Sequence, residues 1–364
     1  MKRINIMTSC DNNIAKYIFP QLVSIDENLS EYDVHFYLVH SIISSEYIDS
    51  LKDFAKNQTS INFHEIKVSK SLYLYEKLSL NGGRQWPQEA YYTLRVQDYL
   101  PDDVDRILYI DAGDVIIDGD ISPYYFDAFE GNDIIATPLS FKTNPITKES
   151  ELHTAEDLLK VSGGTLFNSG SYVIDVDKFR TDGYLVEDYL YLHEILSKST
   201  NPGSMAYFGD QGFLAAAFVG RVKFFGYPQH KDPSYMPYNF RSSYWGLYKN
   251  EPNYKPIVLH YALISKPWVV RFSDEIIDSI IDAPSFAAKN LVAPIPQLAY
   301  VSPQHFKLGE IWWKYAKETP IYEEADLKAT IVAESWVKYF IPLCNSYNNS
   351  MLRQLGNSKA QYNS

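Results

Sequence analysis

Short apolar runs and stretches of helical spacing take turns through the first half of the chain. Residues 3–8 form a β-like run, 14–28 carry apolar positions at helical spacing, and 33–40 (DVHFYLVH) form a second run. The pattern predicts a helix over 44–56, a strand over 60–68, a helix over 88–100 ended by Pro101, and a buried strand over 106–110. Such alternation predicts an α/β fold, a mainly parallel sheet flanked by helices, with ligands gathered at the carboxyl ends of the strands. Strands at 133–138 and 165–175 and helices at 176–198 and 211–219 follow. Residues 226–256 are rich in Tyr, Pro, Asn and Ser and have no period, which predicts a functional loop, a rim or lid over a cleft. Helical spacing returns over 273–283, 303–317 and 325–343, between Pro-rich joints. The chain therefore divides into a catalytic domain, 1–272, and a helical C-terminal appendage, 273–364. The appendage either packs on that domain or docks an acceptor, a partner or a membrane surface. It lacks the Lys/Arg-rich amphipathic face that membrane docking would use, so membrane contact is at most peripheral.

Four polar segments interrupt this pattern. Tyr109-Ile-Asp-Ala-Gly-Asp114 ends an apolar run in two carboxylates, and His260 to Lys266 ends another in an imidazole and an ammonium. Asn168-Ser-Gly170 lies inside an apolar run, and Asp210-Gln211 opens a helix. Carboxylates at a strand end cannot enter a core unpaired, so Asp111 and Asp114 face a cleft or cap a polar turn. Two Asp and one His make an oxygen-rich set suited to Mn²⁺ or Mg²⁺ on a diphosphate rather than to Zn²⁺. Lys266, six residues past the histidine, can meet the same phosphate as a point charge. A lone His after a strand is otherwise a structural residue, and Asp210 reads equally well as a helix N-cap. Gln211 is not explained by a cap. Gly170 permits a close backbone approach, or marks a β-bulge.

Length, charge and cysteines narrow the setting. At 364 residues the chain can bury a sizeable core. A net charge of −12 argues against a nucleic-acid partner, although a metal and a lysine can reverse the sign inside a cleft. Two cysteines, Cys10 and Cys344, provide no disulfide framework and predict a reducing compartment. The start runs directly into a strand-like segment and no apolar run reaches spanning length, so a cytoplasmic protein is expected. The 30 Tyr residues either line a cleft for sugar and base or simply fill the core.

In number, order and spacing these segments, over residues 1–270, resemble glycosyltransferase family 8, retaining transferases that use sugar nucleotides. The resemblance implies a GT-A fold, a Rossmann-like mixed sheet, with Mn²⁺ (or Mg²⁺) bridging the diphosphate of a UDP-hexose donor. It places Asp111, Asp114 and His260 as metal ligands and Lys266 on the diphosphate. Asn168, Asp210 and Gln211 match residues facing the donor sugar, with Ser169 beside them, and Asp111 also touches the donor. Thr8, Ser9, Cys10, Asn12 and Asn13 match the uridine-binding loop. Arg95 lies two positions from the family's arginine. The metal motif departs from Asp-x-Asp by one residue, so Gly113 must bulge for Asp114 to reach the ion.

The expected activity is transfer of galactose or glucose from UDP to a hydroxyl of a bacterial surface glycan, with retention, and with an O-glycan on a surface glycoprotein as acceptor. A lipopolysaccharide, capsule or other lipid-linked acceptor is the alternative. Two other classes compete. A nucleotidyltransferase or metal phosphohydrolase could use the same carboxylates, but the chain has no G-x-x-x-x-G-K-[ST] run. A catalytically silent glycan-binding subunit could keep the fold, but the intact ligand set weighs against it.

Overall fold

The first apolar run becomes strand β1 (Arg3–Ser9), buried along almost its whole length, as a central strand covered on both faces must be. The computed structural model describes residues 1–68, 73–81, 84–138, 167–183, 185–199, 209–225, 255–262, 266–273, 303–335 and 338. They form two compact units, one reaching His260 and the other starting at Tyr261. This division falls ahead of the 272/273 boundary read from the sequence.

In the first unit, β1 is followed by β2 (Asp33–His40), β3 (Ile61–Lys67) and a two-residue ladder of β4 (Leu80–Asn81) with β5 (Arg84–Gln85). Then come β6 (Arg106–Ile110), β7 (Val115–Ile117), β8 (Ile134–Pro138), β9 (Phe167–Asp175), β10 (Val222–Phe224) and β11 (Val258–His260). A seven-stranded sheet has the order β10-β8-β9-β6-β1-β2-β3. The pairs β1·β2, β1·β6, β2·β3 and β8·β10 are parallel, and β9 runs antiparallel between β6 and β8. The sheet is thus mixed and mainly parallel, as expected. The edge strand β3 exposes the polar Asn62, Glu65 and Lys67, which discourages further pairing.

Helix α1 (Ile18–Asn28) carries Gln21 and Ser24 fully buried. Helix α2 (Ser45–Ala55) is capped by Ser44, whose side chain accepts from Tyr47 N–H. Helices α3 (Tyr73–Ser79) and α4 (Ser122–Tyr125) are short. The helix expected over 88–100 is a 3₁₀ segment, Gln88–Asp98, kinked at Arg95. The one expected over 176–198 is two helices, α5 (Val176–Asp182) and α6 (Val186–Ser199), where Asp175 caps the first and Gly183 closes it. Helix α7 (Gly209–Ala217) follows.

The tyrosines resolve largely into core. Tyr37, Tyr75, Tyr91, Tyr92, Tyr124 and Tyr172 are fully buried. Burial pushes phenols upward, Tyr92 and Tyr125 to about 12. Tyr124 donates to Ile135 O and Ser171 O, so its hydroxyl is spent on the sheet.

The second unit contains α8 (Pro303–Ala316) and α9 (Tyr322–Ser335). Arg271 ties them together: its fork grips Glu310 at 2.6 and 2.9 Å, and it reaches Asp326 at 2.7 Å. Trp268 packs on Trp312 at 5.3 Å between ring centroids, and Tyr261 donates to Leu308 O. The segment just after His260 is therefore anchored by the C-terminal helices. The loop expected at 226–256 lies outside the described residues except at its last two positions, and the helix expected over 273–283 does so beyond Ser273. Of the helix expected over 325–343, α9 covers the part to Ser335.

Candidate active site

Parallel pairing sets Met7 of β1 opposite Tyr109 of β6, so the polar residues after both strands leave the sheet at one level. Beyond β6 the chain turns sharply through Asp111-Ala-Gly-Asp114. Gly113 takes φ +74°, and a Cβ there would stand 2.7 Å from Tyr17 Cβ, so the expected bulge is built on left-handed backbone pressed against a neighbour. The fully buried Gln21 holds this turn from α1, donating to Asp111 O and to Val115 O, each at 2.9 Å. Nothing in the sequence reading picked out Gln21. Its signal is a carboxamide inside the apolar helix run IFPQLVSI.

The turn leads into β7, which pairs antiparallel with β11. Their register sets His260 opposite Val115, one residue after Asp114. His260 Nε2 lies 3.2 Å from Asp111 Oδ2 and 3.9 Å from Asp114 Oδ2. One ligand atom from each of Asp111, Asp114 and His260 falls within 4.8 Å of the others. Asp114 and His260 are buried, and the Asp111 side chain keeps 32% of its exposure. Tyr109, two residues before Asp111 and so on the same strand face, donates to Asp111 Oδ1 at 3.0 Å and turns Oδ2 toward the histidine.

Asp210 adds a third carboxyl. Burial, then the Asp111 carboxylate, push it up to about 7, while a Ser169 hydrogen bond and the N–H groups of Asp210 and Gln211 hold it down. Asp210 thus meets backbone donors at the start of α7 and also faces Asp111. Asp111 and Asp114 share one imidazole and Asp210 faces Asp111, so the cluster needs positive charge, which a divalent ion supplies. The residues fit a divalent metal by donor type and by spacing.

A pH effect follows for the metal-free protein. A carboxyl raised from 3.8 to about 7 favours folding only while protonated. Its contribution is full below the ordinary value and is lost as pH rises through the folded value. Asp210→Asn should therefore melt like the parent near about pH 4 and well above it near about pH 8 in EDTA. Equal melting temperatures at the higher pH would remove Asp210 from the carboxylate group.

The remaining candidates are placed as follows. Thr8 and Cys10 are buried at the end of β1, and burial raises the Cys10 thiol well above its usual range. Ser9 Oγ donates to Glu89 O at 2.8 Å. Asn12 Oδ1 accepts from Ser44 N–H, and Asn13 donates its backbone and side-chain N–H groups to Asp11. These polar groups build the loop itself. Arg95 spends its fork on Asp98, at 2.7 Å for each bond. Asn168 lies within hydrogen-bond reach of His260. Gln211 is half-buried beside Asp210 in α7. Lys266 belongs to the second unit, half-buried, at the head of a turn in which Val269 N–H donates to Lys266 O at 3.0 Å.

Comparison with known proteins places this geometry. A curated Escherichia coli protein named lipopolysaccharide 1,2-glucosyltransferase is 26% identical over 271 residues, 72% of this chain and 73% of its own. A structure of the galactosyltransferase LgtC with donor and acceptor sugar analogues shares the fold, with a TM-score of 0.56, 17% identity, 88% of this chain and 100% of its own covered. The glycosyltransferase GlyE of Streptococcus pneumoniae TIGR4 gives 0.52 and 15%, over 88% of this chain and 62% of its own. The fold is GT-A. The sequence model of glycosyl transferase family 8 matches residues 5–270, a span that takes in every ligand of the candidate metal group. On that match, which covers well over half its length, the chain belongs to glycosyl transferase family 8 and is a glycosyltransferase.

Proposed function

We propose that the protein is a retaining hexosyltransferase, moving glucose or galactose from a UDP-sugar to a hydroxyl of a bacterial surface glycan in the cytoplasm. The observation that carries this reading is the convergence of Asp111, Asp114 and His260 within 4.8 Å, in a family that transfers sugars. Glucose is the sugar named for the Escherichia coli relative. A catalytic domain over 1–272, with 273–364 as the appendage, rests on the change of sequence pattern after Trp268, and the family match to residue 270 supports it.

A bound divalent ion, Mn²⁺ or Mg²⁺, would be held by Asp111, Asp114 and His260 and supplies positive charge against the diphosphate. Lys266 adds a point charge on the same leaving group. Thr8, Ser9, Cys10, Asn12 and Asn13 form the uridine loop, with Arg95 beside the donor. Asp210, Ser169 and Asn168 orient the donor sugar. Gln211 places its amide oxygen under the ring, where it stabilises the oxocarbenium-like sugar. A carboxamide is a poor covalent nucleophile, so the acceptor attacks on the face that UDP leaves. The bond from the anomeric carbon to the phosphate oxygen breaks, the bond to the acceptor oxygen forms, and the departing phosphate oxygen takes the acceptor proton.

The acidic chain favours an O-glycan on a surface glycoprotein as acceptor. No helix among the described residues is long and apolar enough to cross a membrane. The Escherichia coli relative's name favours the second reading, a lipid-linked glycan. The test is UDP release from UDP-glucose, UDP-galactose and UDP-GlcNAc, with and without Mn²⁺. Metal-dependent release from one of the two hexose donors is expected. Release from none of the three, with a folded protein, would leave the silent glycan-binding subunit as the better account.

A further inference from the structure

One hydrogen bond decides which nitrogen of His260 faces the carboxylates. Gly170 N–H donates to Asn168 Oδ1 at 2.9 Å. A backbone N–H can only donate, so the atom it meets is the amide oxygen and not the NH₂ group. The same oxygen lies 3.1 Å from His260 Nδ1. It can only accept, so Nδ1 carries the proton, and in the neutral ring the lone pair sits on Nε2. Nε2 is the atom turned to Asp111 and Asp114.

Gly170 makes room for the ring. A Cβ at this position would stand 2.2 Å from His260 Cε1 and 2.5 Å from Nδ1, a separation no packing tolerates. Gly170 O also accepts from Asp111 N–H at 3.0 Å, so the same residue fixes the backbone of the first carboxylate. Asn168 is buried on β9, one residue after Phe167, which pairs with Pro138 of β8.

We propose that Asn168 and Gly170 are positioning residues that seat His260: Asn168 fixes its Nδ1–H tautomer, and Gly170 lets the ring lie flat on the strand with Nε2 toward the ion. This rests on the metal reading given above, and it assigns Asn168 a role besides the sugar contact that the family resemblance implies. The two roles are compatible, because Asn168 Nδ2 has no hydrogen-bond partner among the described residues and remains available to a donor.

The test uses the full chain, metal-free, with Asn168→Ala and Asn168→Asp beside the parent. Nitrogen-15 NMR reads the His260 tautomer at a pH where the ring is neutral, and electron paramagnetic resonance of free Mn²⁺ reads binding without donor. The parent should show Nδ1–H. Asn168→Ala should lose that preference and bind Mn²⁺ about 10–100-fold more weakly, as removal of a partner behind a ligating His does. Asn168→Asp keeps an acceptor oxygen and should retain both. Gly170→Ala should weaken Mn²⁺ binding as Asn168→Ala does. A parent with the proton on Nε2, or an Asn168→Ala protein with unchanged tautomer and Mn²⁺ affinity, overturns the seat. A parent that carries Nδ1–H yet ignores Mn²⁺ sinks the metal assignment while upholding the seat.

Discussion

Asn in place of Asp114 is expected to cut Mn²⁺-dependent transfer by about 10²–10⁴-fold, the effect of losing several kcal/mol of charge stabilisation. The melting temperature of the metal-free protein should hold or rise. Asp114 and Asp111 both aim an oxygen at His260 Nε2, so two carboxylates crowd the same edge of one imidazole. Neutralising one of them relieves their repulsion and keeps the side chain's shape. A residue that merely capped a polar turn would show the reverse: stability would fall and turnover would survive. His260→Ala should lose turnover to a similar degree but also lose stability, because the ring fills the space above Gly170. UDP release with Mn²⁺ or EDTA, beside thermal melts, separates the cases. Unchanged turnover in Asp114→Asn, or full parental activity in EDTA, would end the metal assignment.

The candidate ligands are readable because each follows an apolar run with a polar group that a core cannot hold unpaired. Their assembly was less readable. It depends on β7 and β11, three residues each, too short for any period to announce them. Only their register brings His260 beside Asp114. The clamp from Gln21 was hidden because a buried carboxamide and a solvated one look alike in sequence. Helical spacing over 88–100 was real, but spacing does not distinguish a 3₁₀ run from an α-helix, and the kink at Arg95 leaves no mark in composition. The continuous pattern over 176–198 concealed a break, since apolar residues on either side of Gly183 serve the same core. Tyrosine content pointed equally to cleft and core, and burial rather than sequence separates the two.

Lys266→Ala is expected to reduce transfer and slow donor hydrolysis together, by about 30- to 1,000-fold, corresponding to about 2–4 kcal/mol for one positioned electrostatic donor. Both reactions expel the same UDP, and negative charge grows on its diphosphate as the glycosidic bond breaks. The lysine stands on a segment held within its own unit. Pro267 and Trp268 after it are buried, Trp268 packs at a tilt on Trp312, and the Arg271 fork binds the segment to Glu310 and Asp326. A lysine so anchored loses less entropy on meeting a phosphate than one swinging from an open loop. Its effect should appear mainly in kcat, since the charge it meets is larger in the transition state than in the bound donor. A solvated surface lysine would instead leave both rates near the parent's. Lys266→Arg keeps the charge and should recover part of the loss, whereas a purely packing role would gain nothing from arginine. Parental kcat and UDP affinity in Lys266→Ala would take this residue out of the site and leave the diphosphate to the metal group alone.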